Sequence, residues 1–120
     1  MSEYSDLPDA KYTIRTYSLV EIWAEKTRSL MQRSEPRDLY DLHTLASGDD
    51  SLAEAAHHVF EAEARAKRLD PADLKLRLPE REGPLKARWE SRLRDQAAEV
   101  PDFDTVWRAV NRSLRQGGYL

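Results

Sequence analysis

The sequence has 120 residues, 40% hydrophobic and 34% charged, a composition that excludes intrinsic disorder and predicts one soluble domain with a modest core. Its formal net charge is −3, so no global basic character indicates nucleic-acid binding. The chain lacks cysteine, which excludes disulfides and thiolate metal sites, and it has no apolar run suited to a signal sequence or membrane span. We therefore expect a cytoplasmic protein without a membrane partner.

The N-terminal region predicts a single β-strand, at about residues 11–17. From Tyr12 to Tyr17, β-branched and aromatic side chains recur in an alternating pattern typical of strands. A strand needs hydrogen-bonding partners, yet no second convincing strand follows in the chain. We therefore expect this segment to pair with another chain or to be the end of a sheet that is no longer present.

Residues 18–47 predict two helices joined by a short turn as an antiparallel hairpin. Ser18 with Glu21 forms a capping box that predicts the start of the first helix. Pro36 suits the first turn of the second helix, and Gly48 with the two aspartates after it predicts the end of that helix.

The sequence of residues 51–116 predicts further helices, which make up the rest of the fold. Three helix starts are marked by capping residues, namely Ser51 with Glu54, Asp70 with Pro71, and Asp102. Two prolines and a glycine predict a loop over residues 78–84. The predicted fold is mainly α, with one strand followed by about six helices in a single domain over residues 1–120.

Charged residues lie on the apolar faces of both hairpin helices. At about 100° per residue, Lys26 falls in the middle of the stripe formed by Leu19, Ile22, Trp23 and Leu30. Asp38 lies inside the second stripe and Asp41 at its edge, a stripe made of Leu39, Leu42, Leu45 and Ala46. A charge on a core-facing arc is costly unless it is paired, hydrated in a cleft or used for function.

Two interpretations of these charges stay open. Facing each other across the hairpin, Lys26 and Asp38 form either a buried structural salt bridge or, with Asp41, a compact site suited to phosphate chemistry. In the second case the lysine neutralises a phosphate, and a carboxylate orients a hydroxyl or accepts its proton. Arg33 and Arg37 flank the turn and are either surface residues or a bidentate grip on a phosphate.

Other motifs of known chemistry are absent from the sequence. The three histidines lack the spacing of a metal motif, and there is no Gly-rich phosphate loop and no nucleophile motif. No metal site is therefore predicted in this chain.

Short motifs in the first third of the chain resemble those of a known protein family. The motif residues are Tyr17-Ser18-Leu19, Glu21-Ile22, Ala24-Glu25-Lys26, Gln32-Arg33 and Pro36-Arg37-Asp38-Leu39-Tyr40-Asp41-Leu42, and more loosely Trp89–Leu93 and Pro101–Val110. In identity and spacing they resemble the AbiEii/AbiGii nucleotidyltransferase-like toxins. These toxins are effectors of bacterial abortive infection, a phage defence, and of type IV toxin–antitoxin systems.

The resemblance implies a DNA polymerase-β-like nucleotidyltransferase core joined to a helical C-terminal part, and this chain looks like the C-terminal part. It also implies use of an NTP and Mg²⁺, with transfer of nucleotides onto tRNA ends in some members. Under this resemblance Lys26 matches the motif lysine and Asp38 the motif aspartate, with Asp41 beside it. The motif lysine and aspartate both have catalytic or nucleotide-contacting roles in the family, and Asp41 is a candidate catalytic residue with them.

One family motif has no counterpart in the sequence. The family holds its metal with an Asp-x-Asp pair after a Gly-Gly or Gly-Ser segment, and neither Ser5-Asp6 nor Asp9 offers a comparable element. We therefore expect no cofactor in this chain alone, and activity only with a core domain or partner subunit that carries those carboxylates. The alternative is a non-catalytic helical module or truncated remnant that binds a protein partner, such as a cognate antitoxin, or self-associates.

Overall fold

The computed structural model describes residues 8–48, 51–95 and 99–120, with side chains described from residue 18 onward. Within these ranges there are five α-helices, one short 3-10 turn and no β-strand. The helices are α1 (Pro8–Gln32), α2 (Pro36–Gly48), α3 (Leu52–Ala66), α4 (Leu74–Leu93) and α5 (Phe103–Gln116), and the 3-10 turn is Pro71–Asp73. The prediction of a mainly α protein is confirmed for this part of the chain.

The predicted N-terminal strand is wrong. The backbone of residues 11–17 belongs to α1, which also contains the capping box of Ser18 and Glu21 in its interior. A helix satisfies its N–H and C=O groups within itself, whereas a strand without a partner leaves them unpaired, and β-propensity is easily overridden by context. The inference of a missing sheet, which depended on this strand, therefore loses its support.

The loop predicted over residues 78–84 is wrong as well, because α4 continues through Pro79 and Pro84. A proline inside a helix costs about 3 kcal/mol. Gly83 lowers the second cost, since it has no Cβ to clash with the ring of the proline that follows. At helical spacing α4 buries Leu74, Leu78, Leu85, Trp89 and Leu93. Each such burial contributes roughly 1.5–3 kcal/mol, and together these contributions offset the cost of the two prolines. The two helices predicted on either side of the loop are therefore one continuous helix.

The core lies where the five helices meet. Helix α1 packs against α2, α3 and α4, while α2 also contacts α4 and α5. The largest side chains of the core, all with almost no exposed surface, are Trp23, Phe60, Leu30, Met31, Leu39 and Leu42. None of the helices in the described ranges is long and apolar enough to cross a membrane.

Two of the predicted caps are present. The Asp70 carboxylate accepts a hydrogen bond from the Ala72 N–H at 3.0 Å, and the Asp102 carboxylate accepts one from the Thr105 N–H at 3.0 Å. The hydrogen bonds from the backbone and hydroxyl of Thr105 lower the pKa of Asp102. These caps set the starts of the 3-10 turn and of α5.

The C-terminal residues return to the core after α5. The Tyr119 hydroxyl donates a hydrogen bond to the Ala53 carbonyl at 2.7 Å, and its ring lies 5.1 Å from that of Phe60. Gly117 lets the chain approach α3 closely, because a Cβ there would lie 3.0 Å from the backbone of Ala53. Gly118 then adopts a φ of +87°, which favours glycine.

Candidate functional site

The site begins at the connection between α1 and α2, which is only three residues long, 33–35. The Arg33 N–H still donates to the Ser29 carbonyl at 2.9 Å, and the Asp38 N–H donates to the Glu35 carbonyl at 3.0 Å. The backbone is therefore hydrogen-bonded on both sides of the turn. This short connection places the end of α1 beside the first turn of α2.

Asp38 is the buried centre of the site, with a side chain that is 1% exposed. The Arg33 guanidinium binds it in a bidentate manner, Nε to Oδ2 at 3.0 Å and Nη2 to Oδ1 at 3.2 Å. The Lys26 Nζ lies 3.5 Å from Oδ1. The hydrogen bond and the charge of Asp38 raise the pKa of Arg33. The contact that the sequence predicts between Lys26 and Asp38 is therefore present, and Arg33 is added to it.

Asp41 forms the outer part of the site. Its Oδ2 lies 3.2 Å from the Lys26 Nζ, and its Oδ1 lies 3.5 Å from the Arg37 Nε one helical turn earlier. The side chains of Lys26 and Asp41 are 21% and 27% exposed, so this pair faces the solvent edge of the hairpin. Asp41 thus differs from Asp38 in its access to solvent.

All five side chains singled out in the sequence form one connected network, which we call the hairpin cluster: Lys26, Arg33, Arg37, Asp38 and Asp41. Within these five side chains three positive charges face two negative ones, and the negative charges of Glu35 and Glu25 also act on Arg33. The bidentate bond to Asp38 uses one edge of the Arg33 guanidinium, and its remaining N–H groups belong to a side chain that is 60% exposed. The cluster is therefore suited to receive an anion.

Three arginines of α4, which were not predicted as site residues, hold the end of α1 and the turn after it in place. Arg81 donates to the carbonyls of Leu30 at 3.0 Å and Met31 at 2.6 Å. Arg77 donates to the Met31 carbonyl at 3.4 Å, and Arg88 to the Ser34 carbonyl at 3.0 Å. We call Arg77, Arg81 and Arg88 the α4 arginines.

Arg77 and Arg81 satisfy carbonyls in the last turn of α1, which have no partner inside that helix and lie at the negative end of its dipole. Arg88 satisfies the Ser34 carbonyl in the turn itself. The spacing of the α4 arginines, four and seven residues, is that of one helical face. This signal was present in the sequence, but the predicted loop at residues 78–84 concealed it.

The hairpin cluster does not fit a magnesium site. No group of three or more His, Cys, Asp or Glu side chains in the described ranges is placed to hold a metal ion. Mg²⁺ needs several free oxygen ligands, whereas the oxygens of Asp38 and Asp41 already face cationic side chains. Ser5 and Asp6, which do not match the family's metal motif, lie outside the described residues.

Comparison with known proteins identifies one family. A family model described as nucleotidyl transferase AbiEii toxin, type IV TA system, matches residues 1–109. No curated protein and no solved structure matches the chain significantly. The resemblance stated from the motifs of the first third is thereby confirmed, and it extends over most of the sequence.

Proposed function

This chain belongs to the AbiEii nucleotidyl transferase toxin family of type IV toxin–antitoxin systems, and we propose that it supplies the nucleotide-contacting part of a transferase site. The observation that carries the proposal is the hairpin cluster, in which Lys26 and Arg33 converge on buried Asp38 and keep donors toward solvent. The carboxylates that hold Mg²⁺ come from a core domain or partner subunit, because the cluster does not fit that ion.

The chemistry of nucleotidyl transfer explains why such a cluster is useful. The hydroxyl oxygen of the acceptor bonds to the α-phosphorus of an NTP, the bond from that phosphorus to the pyrophosphate oxygen breaks, and the hydroxyl proton passes to a base. Lys26 and Arg33 neutralise charge on the phosphate oxygens. Asp41, at the solvent edge, orients the hydroxyl or accepts its proton. Arg37 holds Asp41, and the acceptor, by family resemblance, is an RNA such as tRNA.

Binding of nucleoside triphosphates tests the first step. We would titrate the full chain with ATP, GTP, CTP and UTP by calorimetry at low salt, and compare Lys26→Gln and Arg33→Gln with Lys86→Gln. Lys86 is a matched control, because it pairs with Asp104 on the surface, outside the cluster. Loss of a charge-assisted hydrogen bond costs about 1.5–3 kcal/mol, so the two cluster variants should bind about 10- to 100-fold more weakly. The absence of binding by any triphosphate, or equal affinities for all three variants, would count against the proposal.

Transfer itself needs a second experiment. Labelled NTPs and total tRNA would be incubated with the chain alone and with the polypeptide encoded beside it. We expect label on tRNA only in the mixture, and less of it with Lys26→Gln. If neither preparation transfers label, the enzyme hypothesis is wrong.

The alternative function is a helical interaction module without catalysis. It is favoured by the contacts of Asp38 and Asp41, because each of their carboxylate oxygens already faces a cationic side chain. The same contacts would be found in a purely structural salt-bridge network. Membership of a toxin–antitoxin family implies a cognate antitoxin as a partner. A chain that is strictly monomeric in light scattering and retains neither the antitoxin nor another protein would contradict this alternative.

A further inference from the structure

The two aspartates of the hairpin cluster sit in different environments. Both oxygens of Asp38 face the Arg33 guanidinium at 3.0 and 3.2 Å, and its side chain is 1% exposed. Asp41 has 27% of its side chain exposed and faces its cations through one contact per oxygen, at 3.2 and 3.5 Å. Only Asp41 can therefore contact a substrate group while the contacts of Arg33 and Lys26 with Asp38 stay in place.

The contacts of Asp38 fix the directions of two cations. Because Arg33 gives its Nε edge to Asp38, the opposite edge of the planar guanidinium must point away from the carboxylate. Lys26 is held between Asp38 and Asp41, at 3.5 and 3.2 Å. Without the negative charge at the centre, the two cations would repel each other and move apart.

The backbone around Asp38 is also held from outside the hairpin. Arg81 fixes the carbonyls of Leu30 and Met31, the residues from which the chain turns toward Arg33. Arg88 holds the Ser34 carbonyl within the turn itself. The positions of Arg33 and Asp38 are thus set by α4 as well as by their own hairpin.

We propose that Asp38 is a positioning residue, which aims Lys26 and Arg33 at the triphosphate and does not act on the reacting hydroxyl. That action is left to Asp41. The inference rests on the proposed function for its ligand, and it gives Asp38 an indirect role in place of the catalytic or nucleotide-contacting role that the family resemblance implies. It also explains why an aspartate lies on the apolar face of α2.

The sign of an affinity change tests this role. Asp38→Asn and Asp41→Asn each remove one negative charge from the same cluster, and charge alone predicts tighter binding of ATP in both. A positioning role predicts the opposite for Asp38→Asn, with binding about tenfold weaker or more, whereas Asp41→Asn keeps the contact between Arg33 and Asp38 and loses clearly less affinity. Equal losses in the two variants, or tighter binding by both, would overturn the inference.

Since Asp38→Asn alters a buried group, Arg33→Lys gives an independent measurement. The Arg33 side chain is 60% exposed, so the variant should fold. Lysine keeps the positive charge at this position but cannot make the bidentate contact with Asp38. We expect the ATP affinity of Arg33→Lys to fall about tenfold as well. An unchanged affinity would show that the positive charge at this position matters and that the orientation of the guanidinium does not.

Hydrogen exchange of the Arg33 Nε–H, followed by NMR of the full chain, separates failure of this inference from failure of the proposed function. We expect slow exchange in the unmodified chain and in Asp41→Asn, and fast exchange in Asp38→Asn, with or without nucleotide. If no triphosphate binds, the proposed function is wrong, and so is the claim that Asp38 orients Lys26 and Arg33 toward a triphosphate. Slow exchange would then still show that Asp38 holds Arg33, whereas equal exchange in all three proteins would overturn the anchoring as well.

Discussion

Arg81 of α4 donates a hydrogen bond to the Met31 carbonyl at 2.6 Å, although the two residues are 50 positions apart in the sequence. This contact ties the end of α1 to α4 and so fixes the turn on which the hairpin cluster is built. It is a long-range contact, and it satisfies a helix-terminal carbonyl that would otherwise depend on water.

Replacement of Arg81 should therefore destabilise the protein. Arg81→Met removes the hydrogen bonds to both Leu30 and Met31, and we expect a loss of about 1–3 kcal/mol in the free energy of unfolding. Urea denaturation measures the change. Arg92→Met is the control, because Arg92 forms an exposed ion pair with the Glu35 side chain at 3.3 Å and its loss should cost about 0.5 kcal/mol or less. Equal costs for the two variants would show that Arg81 has no special part in the fold.

Gly117 should not tolerate a side chain. The Cβ of Gly117→Ala would lie 3.0 Å from the Ala53 backbone and 2.8 Å from the Tyr119 ring, so the C-terminal residues must shift. We expect a loss of about 1–3 kcal/mol, measured by thermal unfolding. Gly48→Ala is the matched control, since no atom of the described residues that surround it in space lies within 4 Å of the added methyl group, and its stability should stay within about 0.5 kcal/mol.

The stability of the protein should fall in alkaline solution because of Tyr119. Burial raises the pKa of this hydroxyl well above its ordinary value, so the native state keeps its proton after the unfolded chain has lost it. The unfolded chain then binds fewer protons, and stability decreases once the pH rises above about 10, the pKa of an unfolded tyrosine. Unfolding of the unmodified chain and of Tyr119→Phe would be compared from pH 8 to 11. We expect a smaller alkaline decrease in the variant, and parallel curves would contradict the assignment to Tyr119.

Glu63 on α3 should be a destabilising charge at neutral pH. Partial burial raises its pKa, and the nearby charges of Glu25 and Glu21 act in the same direction. Since the protonated form is favoured in the native state, its contribution to stability is present at low pH and is lost as the pH rises through the native pKa. Glu63→Gln should therefore have a higher Tm than the unmodified chain at pH 7, and the difference should shrink toward pH 4. Glu61→Gln on the same helix is the control, for which we expect no such gain.

The hairpin cluster could be predicted because it depends on local periodicity. Lys26 and Asp38 lie on apolar arcs within adjacent helices, and a short turn brings such arcs together. The bidentate contact between Arg33 and Asp38 could not be derived in this way, since the direction of Arg33 depends on where the helix ends. The α4 arginines were missed because their contacts with the turn are long-range, and because Pro79 and Pro84 are local signals that the burial of the α4 leucines overrides.

The strand error has a related cause. The alternation from Tyr12 to Tyr17 is a local preference, and a strand needs a neighbour that the described part of the chain does not supply. The absence of a convincing second strand is itself visible in the sequence, and it argues against the first. Local patterns therefore predicted helix content and the cluster well, whereas helix ends and long-range contacts needed the three-dimensional structure.

The dependence of the hairpin on α4 also bears on how the chain folds during synthesis. All five residues of the hairpin cluster leave the ribosome before α4 does, and the arginines that hold the turn follow only with residues 77–88. Because contacts that close such long loops form late, a nascent chain or fragment that stops before Leu74 carries every charge of the cluster without its support. Under the proposed function, such a fragment should bind phosphate groups more weakly than the full chain, although it contains all five residues of the hairpin cluster.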